Sequence, residues 1–96
     1  NDTLNGIYRE YFSNNMLKIE GYYKKGKFDG KWHYYNENGF IIGIGQFDNG
    51  NGILKTFYPY SNKIHSITYF ENNLKNGLEF VLSIDGDTIK KNYYKN

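Results

Sequence analysis

The two histidines, His33 and His65, are the first residues to consider for catalysis or metal binding, because imidazole titrates near neutral pH and is a common metal ligand. The chain has no cysteine, and no carboxylate stands at metal-ligand spacing from either histidine. Each histidine lies in a segment that predicts a β-strand. We therefore expect both to be exposed or half-buried strand residues rather than ligands or general bases.

Other motifs resemble fragments of functional sites but lack the rest of each site. Asp-Gly-Asp at 85–87 has two acidic residues of a calcium loop without the remaining ligands, and an Asp-Gly hairpin turn explains it. Gly-Ile-Gly at 43–45 lies within a predicted strand and precedes no helix, which excludes a phosphate-binding loop. We expect no base to activate the serines, although contacts across a sheet could supply one; these are Ser13, Ser61, Ser66 and Ser83. We predict no catalytic site, no metal and no cofactor.

Aromatic residues supply most of the apolar surface of this 96-residue chain. They make up 20% of the residues, with eleven Tyr, seven Phe and one Trp, whereas alanine is absent. Tyr and Phe favour pleated, half-buried surfaces, and alanine is the best helix former. The composition therefore predicts a single all-β domain.

The charges are of mixed sign, with 12 basic and 10 acidic residues and a net charge of +2. A nucleic-acid-binding domain usually carries a basic stripe, which the interspersed acidic residues interrupt here, so we expect no nucleic-acid partner. A membrane surface is a less favoured partner than a protein. No apolar run is long enough for a membrane span, and the first residues do not resemble a signal peptide.

A repeat of roughly 24 residues organises the chain. Glycines that follow Asn or Asp recur at spacings of 24, 22 and 25 residues, at Gly6, Gly30, Gly52 and Gly77. Aromatics that end a predicted strand recur at spacings of 24, 23 and 24 residues, at Tyr23, Phe47, Phe70 and Tyr94. Because both columns keep one period, we predict four units, at about 5–28, 29–51, 52–75 and 76–96.

Each unit resolves into two short strands around a turn. The predicted strand pairs are 7–12 with 17–23, 31–35 with 40–47, 53–58 with 63–70, and 78–83 with 87–94. The intervening turns carry Asn, Asp, Gly or Pro, which favour hairpin loops. No segment shows helical periodicity. We therefore predict an all-β fold, an elongated single antiparallel sheet in which four β-hairpin repeats form a meander of about eight short strands.

Small residues in the second strands are expected to lie on one face of this sheet. The positions two residues before the closing aromatic are Gly21, Gly45, Thr68 and Asn92, and side chains of one parity share a face. Large rings from neighbouring strands can then lie across the small residues.

The series from Gly21 to Tyr35, which runs from the end of the first unit into the second, resembles the MORN repeat, and it is most similar to the variant in bacterial proteins named as YwqK-type antitoxins. The resemblance covers nearly the whole chain as four units, of which the second matches well. The resemblance rests on the series at Gly21, Tyr22, Tyr23, Gly26, Gly30, Trp32 and Tyr35. The third unit has Leu54 at the Trp position, and the fourth has Glu79. The resemblance implies hairpins stacked into a curved sheet. It also implies protein–protein contact or membrane-surface association, and an antitoxin role for the bacterial variant.

The segment 30–47 is also similar to the choline-binding repeats of bacterial cell-wall proteins, which alternate a Gly-x-Trp-Tyr-Tyr pattern with Asn-Gly turns. Those repeats are shorter and keep Trp in most units, whereas this chain has one Trp. The MORN-type interpretation is therefore preferred.

The aromatic residues of the first strands are the candidate partner-binding residues, because Tyr and Trp are enriched in binding hot spots. They are Tyr8, Tyr11, Trp32, Tyr34, Tyr35, Phe57 and Tyr58. We expect a non-catalytic module whose aromatic face binds another protein, which would be a toxin in the antitoxin-like version. The alternative is a structural or ligand-binding repeat module of an envelope protein, at the cell surface or secreted.

The ends of the sheet and the cellular location stay open. An uncapped terminal strand can pair with another chain, so a homo-oligomer formed through the sheet edges is one expectation. The abundance of Asn, Lys, Ile and Tyr is typical of an A/T-rich bacterial genome. The compartment could be the cytoplasm, or the envelope or exterior if a leader was removed.

Overall fold

Eight antiparallel strands form one sheet within residues 4–95, the part of the chain that the computed structural model describes. The strands are β1 (Gly6–Tyr11), β2 (Leu17–Lys24), β3 (Lys27–Tyr35), β4 (Ile41–Asp48), β5 (Asn51–Phe57), β6 (Ile64–Glu71), β7 (Leu74–Leu82) and β8 (Thr88–Tyr94). Their order in the sheet is their order in the chain, and each pairs antiparallel with the next. The predicted all-β meander is confirmed. Asn96, which ends the fourth predicted unit, lies outside the described residues.

Three of the four loops inside the hairpins follow the predicted turn chemistry, whereas in the fourth the residue with positive φ is Tyr60 (57°). In three of them the chain closes through a tight turn and a residue with positive φ, at Asn15 (69°), Gly39 (88°) and Gly86 (93°). Asn and Gly tolerate this left-handed conformation, which most residues avoid. The loop at 59–62 is one residue longer, and the amide of Tyr58 donates to the carbonyl of Lys63 across it.

The three turns between hairpins differ from those inside them, because both central residues have positive φ. They are Lys25-Gly26, Asn49-Gly50 and Asn72-Asn73, which is the pattern of a type I′ turn. Strands β3 and β7 therefore begin several residues before the predicted strands. The glycines at Gly30 and Gly77 lie inside these strands with φ of 71° and 80°, near breaks in the strand pairing, and they do not form the turns.

Backbone hydrogen bonds join each of these three turns to a part of the chain outside its own strand pair. The amide of Gly26 donates to the carbonyl of Leu4 at 2.8 Å, and the amide of Gly50 donates to the carbonyl of Phe28 at 2.8 Å. The carbonyl of Gly50 accepts from the amide of Asn73 at 2.9 Å. We call this series of bonds the turn ladder. It ties one end of the sheet together across strands that are not paired.

A β-bulge recurs once in every hairpin. The register shifts where one residue of the second strand has no partner in the first, at Lys18, Ile42, His65 and Ile89. A bulge increases the local twist of a strand pair and redirects a side chain. Its repetition keeps the bend of each hairpin similar.

The aromatic core lies on one face of the sheet near the turn ladder. Trp32 is 2% exposed and Phe47 5% exposed, and they are the buried hydrophobic side chains among the described residues. The Trp32 ring packs against Tyr8, Tyr23 and Phe28, with ring centroids 5.0–5.8 Å apart. Its indole nitrogen donates to the carbonyl of Tyr22 at 3.2 Å.

The absence of a side chain at Gly21 leaves space for the Trp32 ring, as the small-residue pattern predicted. A Cβ at Gly21 would lie 2.1 Å from Cδ2 of Trp32, closer than any real contact allows. In the sheet, Trp32 pairs with Gly45, so glycines lie on both sides of the indole.

The sheet is strongly curved toward the aromatic core. Phe28 on β3 and Phe70 on β6 have ring centroids 6.2 Å apart. Three strand spacings in a flat sheet would separate them by about 14 Å. We call the face that carries these rings the inner face and the opposite one the outer face.

A carboxylate replaces the tryptophan in the fourth unit. Glu79 pairs with Thr68 and Asn92, where Trp32 has Gly21 and Gly45 nearby. Its oxygens accept hydrogen bonds from Thr68, from the amide of Asn92 at 3.0 Å and from the hydroxyl of Tyr94 at 3.1 Å. Lys75 lies 3.6 Å away. Burial opposes ionisation, but these donors and the ammonium lower the pKa of Glu79 to about 2.

Candidate functional site

The seven aromatics predicted as partner-binding residues lie in different environments. Trp32 is in the core, and Tyr8 stacks on it with ring centroids 5.8 Å apart. A buried ring is not available to a partner while the chain is folded. The reason for this burial is the curvature of the sheet, which packs the inner-face rings of several strands against one another.

The remaining predicted rings lie farther from the core. Tyr11 is exposed, and Tyr35 is half-buried beside His33. The hydroxyl of Tyr58 donates to the carbonyl of Leu82, and its ring packs edge-on against His65. Tyr34 lies over Gly43 on the inner face. Phe57, at the end of β5, lines a depression on each face.

An apolar depression of about 450 Å³ lies on the outer face of the two central hairpins. Its walls include Ile44, Ile53, Phe57 and Ile64. Ile41 lies at a smaller adjoining hollow, and Tyr69 is the cross-strand partner of Ile53. Ile53 is 37% exposed and Tyr69 40% exposed. We call this set, Ile41, Ile44, Ile53, Phe57, Ile64 and Tyr69, the outer apolar surface.

Two further aliphatic–tyrosine pairs flank the outer apolar surface. Ile7 pairs with Tyr22 in the first hairpin, and Leu78 pairs with Tyr93 in the fourth. All four side chains are exposed. Exposed apolar groups that recur at one position of a sheet are typical of an interaction surface.

Lysines on the outer face are not neutralised by acidic neighbours. Lys31 pairs with Gln46, and Lys55 lies between Ile44 and Ile67. Neither lysine forms an ion pair among residues 4–95. The carboxylate of Glu20, by contrast, is held by Arg9 at 2.8 Å. Lys31 and Lys55 therefore place positive charge beside the apolar groups, on a face that also carries Asp48 and Glu71.

The isoleucines of the outer apolar surface were not among the residues predicted from the sequence. Aromatic residues recur at equivalent positions of the repeat, and the prediction of binding residues was based on them. The signal for the outer face was parity: Ile44 lies between Gly43 and Gly45, so its side chain points away from the glycine face.

A second depression, of about 480 Å³, lies on the inner face beyond the aromatic core. His65 directly precedes Ser66 in β6, which the sequence-based expectation for this serine overlooked, and the hydroxyl of Thr56 on β5 contacts both residues. The hydroxyl of Thr56 contacts Ser66 Oγ, and it lies 3.2 Å from Nδ1 of His65. Burial raises the pKa of the nearby Tyr34 hydroxyl, with a smaller contribution from Tyr23.

No group of three or more His, Asp or Glu residues is close enough to hold a metal ion within residues 4–95. The same part of the chain contains no helix of the length and apolarity needed to cross a membrane.

Comparisons with protein-family models, with curated proteins and with solved structures find no match to this chain.

Proposed function

We propose that this chain is a non-catalytic β-repeat module that binds another protein through its outer apolar surface. The observation that carries the proposal is the exposed apolar depression across the two central hairpins, which Ile53 lines and beside which Tyr69 pairs with Ile53. A partner that covers these isoleucine and tyrosine side chains removes their apolar surface from water, and this burial favours binding. Tyrosine is also enriched in binding hot spots.

The charges around the outer apolar surface favour an acidic partner. Lys31 and Lys55 have no ion-pair partner among the described residues, and they stand beside the apolar groups. Complementary charge at the rim of an interface steers association and fixes orientation. The partner in this proposal therefore presents an apolar centre surrounded by Asp and Glu.

The resemblance to MORN repeats supports protein binding as the general role. In the antitoxin-like version of the proposal, the partner is a toxin whose acidic surface the sheet covers. The alternative, an envelope repeat module, predicts a partner among cell-surface polymers instead. Pairing through the open edges β1 and β8 is a separate proposal for self-association.

The test is quantitative capture from a lysate of the source cell with the wild type and two variants. Tyr69→Asn changes the outer apolar surface at an exposed position, so the fold should be kept. Ile84→Asn is the matched control, because Ile84 is exposed on the loop between β7 and β8. We expect one stoichiometric protein whose capture is lost with Tyr69→Asn and kept with Ile84→Asn.

Salt dependence provides a second readout with the same material. Capture should weaken as ionic strength rises from 50 mM toward 500 mM, because screening reduces rim electrostatics. Equal capture by the wild type and Tyr69→Asn would contradict the proposed surface. Capture of no protein by the wild type would contradict protein binding itself.

A further inference from the structure

The inner-face depression is lined by uncharged side chains together with one histidine. The lining residues are Tyr34, Ile42, Leu54, Thr56, Phe57, Pro59, His65 and Ser66. The volume of about 480 Å³ is within the range of roughly 300–1,000 Å³ that ligand pockets occupy. A charged ligand would find no Asp, Glu, Lys or Arg side chain in this lining. The lining therefore suits a neutral, mostly apolar group.

The packing of Trp32 next to this depression provides a comparison for the kind of group that the depression could bind. Beside this depression the indole of Trp32 lies flat over Gly21, and its N–H reaches a backbone carbonyl at 3.2 Å. The next row of the inner face has small residues on its floor as well, with Gly43 paired to Thr56 and Thr56 paired to Ser66. Tyr34 covers Gly43, whereas Thr56 and Ser66 line the depression.

One edge of the depression offers a hydrogen-bond acceptor. His65, Thr56 and Ser66 form a chain, with Nδ1 of His65 3.2 Å from the Thr56 hydroxyl, which also bonds Ser66 Oγ. Ser66 is 9% exposed and stands at the end of this chain. Whichever group donates within the chain, Ser66 Oγ keeps a lone pair for an N–H or O–H from outside.

We propose that the inner-face depression binds a planar aromatic ring that carries one N–H or O–H group, as an indole or a phenol does. The ring packs between Tyr34 and Phe57 over Leu54, and its polar hydrogen is donated to Ser66 Oγ. This site lies on the face opposite the outer apolar surface, and it does not depend on the protein partner proposed above. The ring can belong to a free small molecule or to a side chain of a polypeptide.

The test is a titration of the isotope-labelled protein followed by amide chemical shifts. Indole and 1-methylindole are compared, because the second lacks the N–H but keeps the ring. We expect indole to shift the amides of the lining residues and to bind about fivefold more tightly than 1-methylindole, as one hydrogen bond predicts. In Ser66→Ala the two should bind equally, since the acceptor is gone and the volume is almost unchanged.

A second variant tests the acceptor without changing Ser66. Thr56→Val removes the neighbouring hydroxyl with nearly constant volume but leaves Ser66 Oγ, so indole should still bind more tightly than 1-methylindole; the dispersion of its amide spectrum checks the fold, and loss of the preference for indole would contradict Ser66 as the acceptor. Tyr69→Asn, on the outer face, should bind indole as the wild type does. This variant separates the two proposals, because it removes protein capture and leaves ring binding.

The source of the ring is decided by a third ligand, N-acetyl-L-tryptophanamide. Binding of this amide as well as of indole supports a polypeptide side chain, whereas binding of indole alone supports a small molecule. Either result supports the ring site. The absence of shifts at the lining residues up to the solubility limit of indole would overturn it, as would equal affinity for indole and 1-methylindole in the wild type.

Discussion

The side-chain oxygen of Asn73 accepts a hydrogen bond from the backbone amide of Phe28 at 2.9 Å, although 45 residues separate them. The side-chain nitrogen of Asn73 donates to the carbonyl of Gly26 at 3.0 Å. One carboxamide thereby joins the turn between β6 and β7 to the turn between β2 and β3. This explains why Asn stands at the second turn position, where Gly26 and Gly50 stand in the other two turns.

Asn73→Gly should destabilise the protein even though glycine is the better residue for this turn. The φ of 70° at Asn73 suits glycine, so turn propensity alone predicts a small gain. The variant loses both bonds of the carboxamide, at about 1 kcal/mol each, so we expect a net loss of about 1–2 kcal/mol in urea unfolding. Asn72→Gly is the control, because only the backbone of Asn72 bonds Asn51. Equal stability of the two variants would show that the Asn73 carboxamide does not stabilise the fold.

Trp32→Ala should destabilise the fold by about 3–5 kcal/mol, because it removes the most buried large ring of the core. Such a loss is a large part of the stability of a domain of this size. Tyr11→Ala removes an exposed ring and should change the free energy of unfolding by about 0.5 kcal/mol or less. Thermal unfolding followed by near-ultraviolet circular dichroism measures both. A small effect at Trp32 would mean that its ring is not part of the core.

Gly21→Ala should destabilise the protein by about 1–3 kcal/mol through overpacking against the Trp32 indole. The matched variant is Gly43→Ala, whose added Cβ would meet its nearest neighbours at 3.4–3.5 Å, an ordinary contact. We expect Gly43→Ala to be close to neutral or slightly stabilising, because alanine restricts the unfolded chain. Chemical denaturation of the pair is the measurement. Similar losses at both positions would point to strand flexibility as the cause, and not to the ring.

Stability should fall as the pH drops below about 4.5, in part because Glu79 must be protonated. Hydrogen bonds from Thr68, Asn92 and Tyr94 and the charge of Lys75 outweigh burial and hold the pKa of Glu79 at about 2 in the folded state. The unfolded pKa is ordinary, so the contribution is complete above that value and is lost as the pH falls toward 2. We expect a loss of about 1–3 kcal/mol over this interval.

Glu79→Gln is the control for this pH dependence. It keeps the shape of the side chain but cannot ionise, so its stability should be lower than that of the wild type at pH 7. The difference between the two proteins should shrink as the pH falls from 4.5 toward 2. A constant difference across this interval would show that the Glu79 carboxylate is not the titrating group.

The strands and the loops inside the hairpins could be predicted from the sequence, because local chemistry determines them. Asn-Gly and Asp-Gly at the loops and alternating aromatic residues between them are short-range signals. Reliance on the same local signals placed the predicted first residues of β3 and β7 several residues after the observed ones. Gly30 and Gly77 follow Asp and Asn, which marks a turn by local rules, whereas the turns lie four residues earlier, at Lys25-Gly26 and Asn72-Asn73.

The features that depend on curvature could not be predicted from local pattern. No sequence rule places Asn73 against Phe28, since the contact exists only when three strands bend toward one another. The outer apolar surface also depends on curvature. The rings of the inner face pack against one another, whereas the isoleucines of the outer face stay uncovered. The aromatic residues were predicted as binding residues by type, and packing among themselves takes Trp32 and Tyr8 away from that role.

The turn ladder has a mechanical consequence. Tension applied between Leu4 and Lys95 loads the hydrogen bonds of β1 and β8 in sequence from one end, because each edge strand pairs with a single antiparallel neighbour. The bonds of each edge strand then break one after another at low force. The central hairpins resist differently, because Gly50, Asn73 and Phe28 are tied together across unpaired strands and their bonds must fail at once. Under load the protein would lengthen in two stages, and the second stage would be set by the three turns.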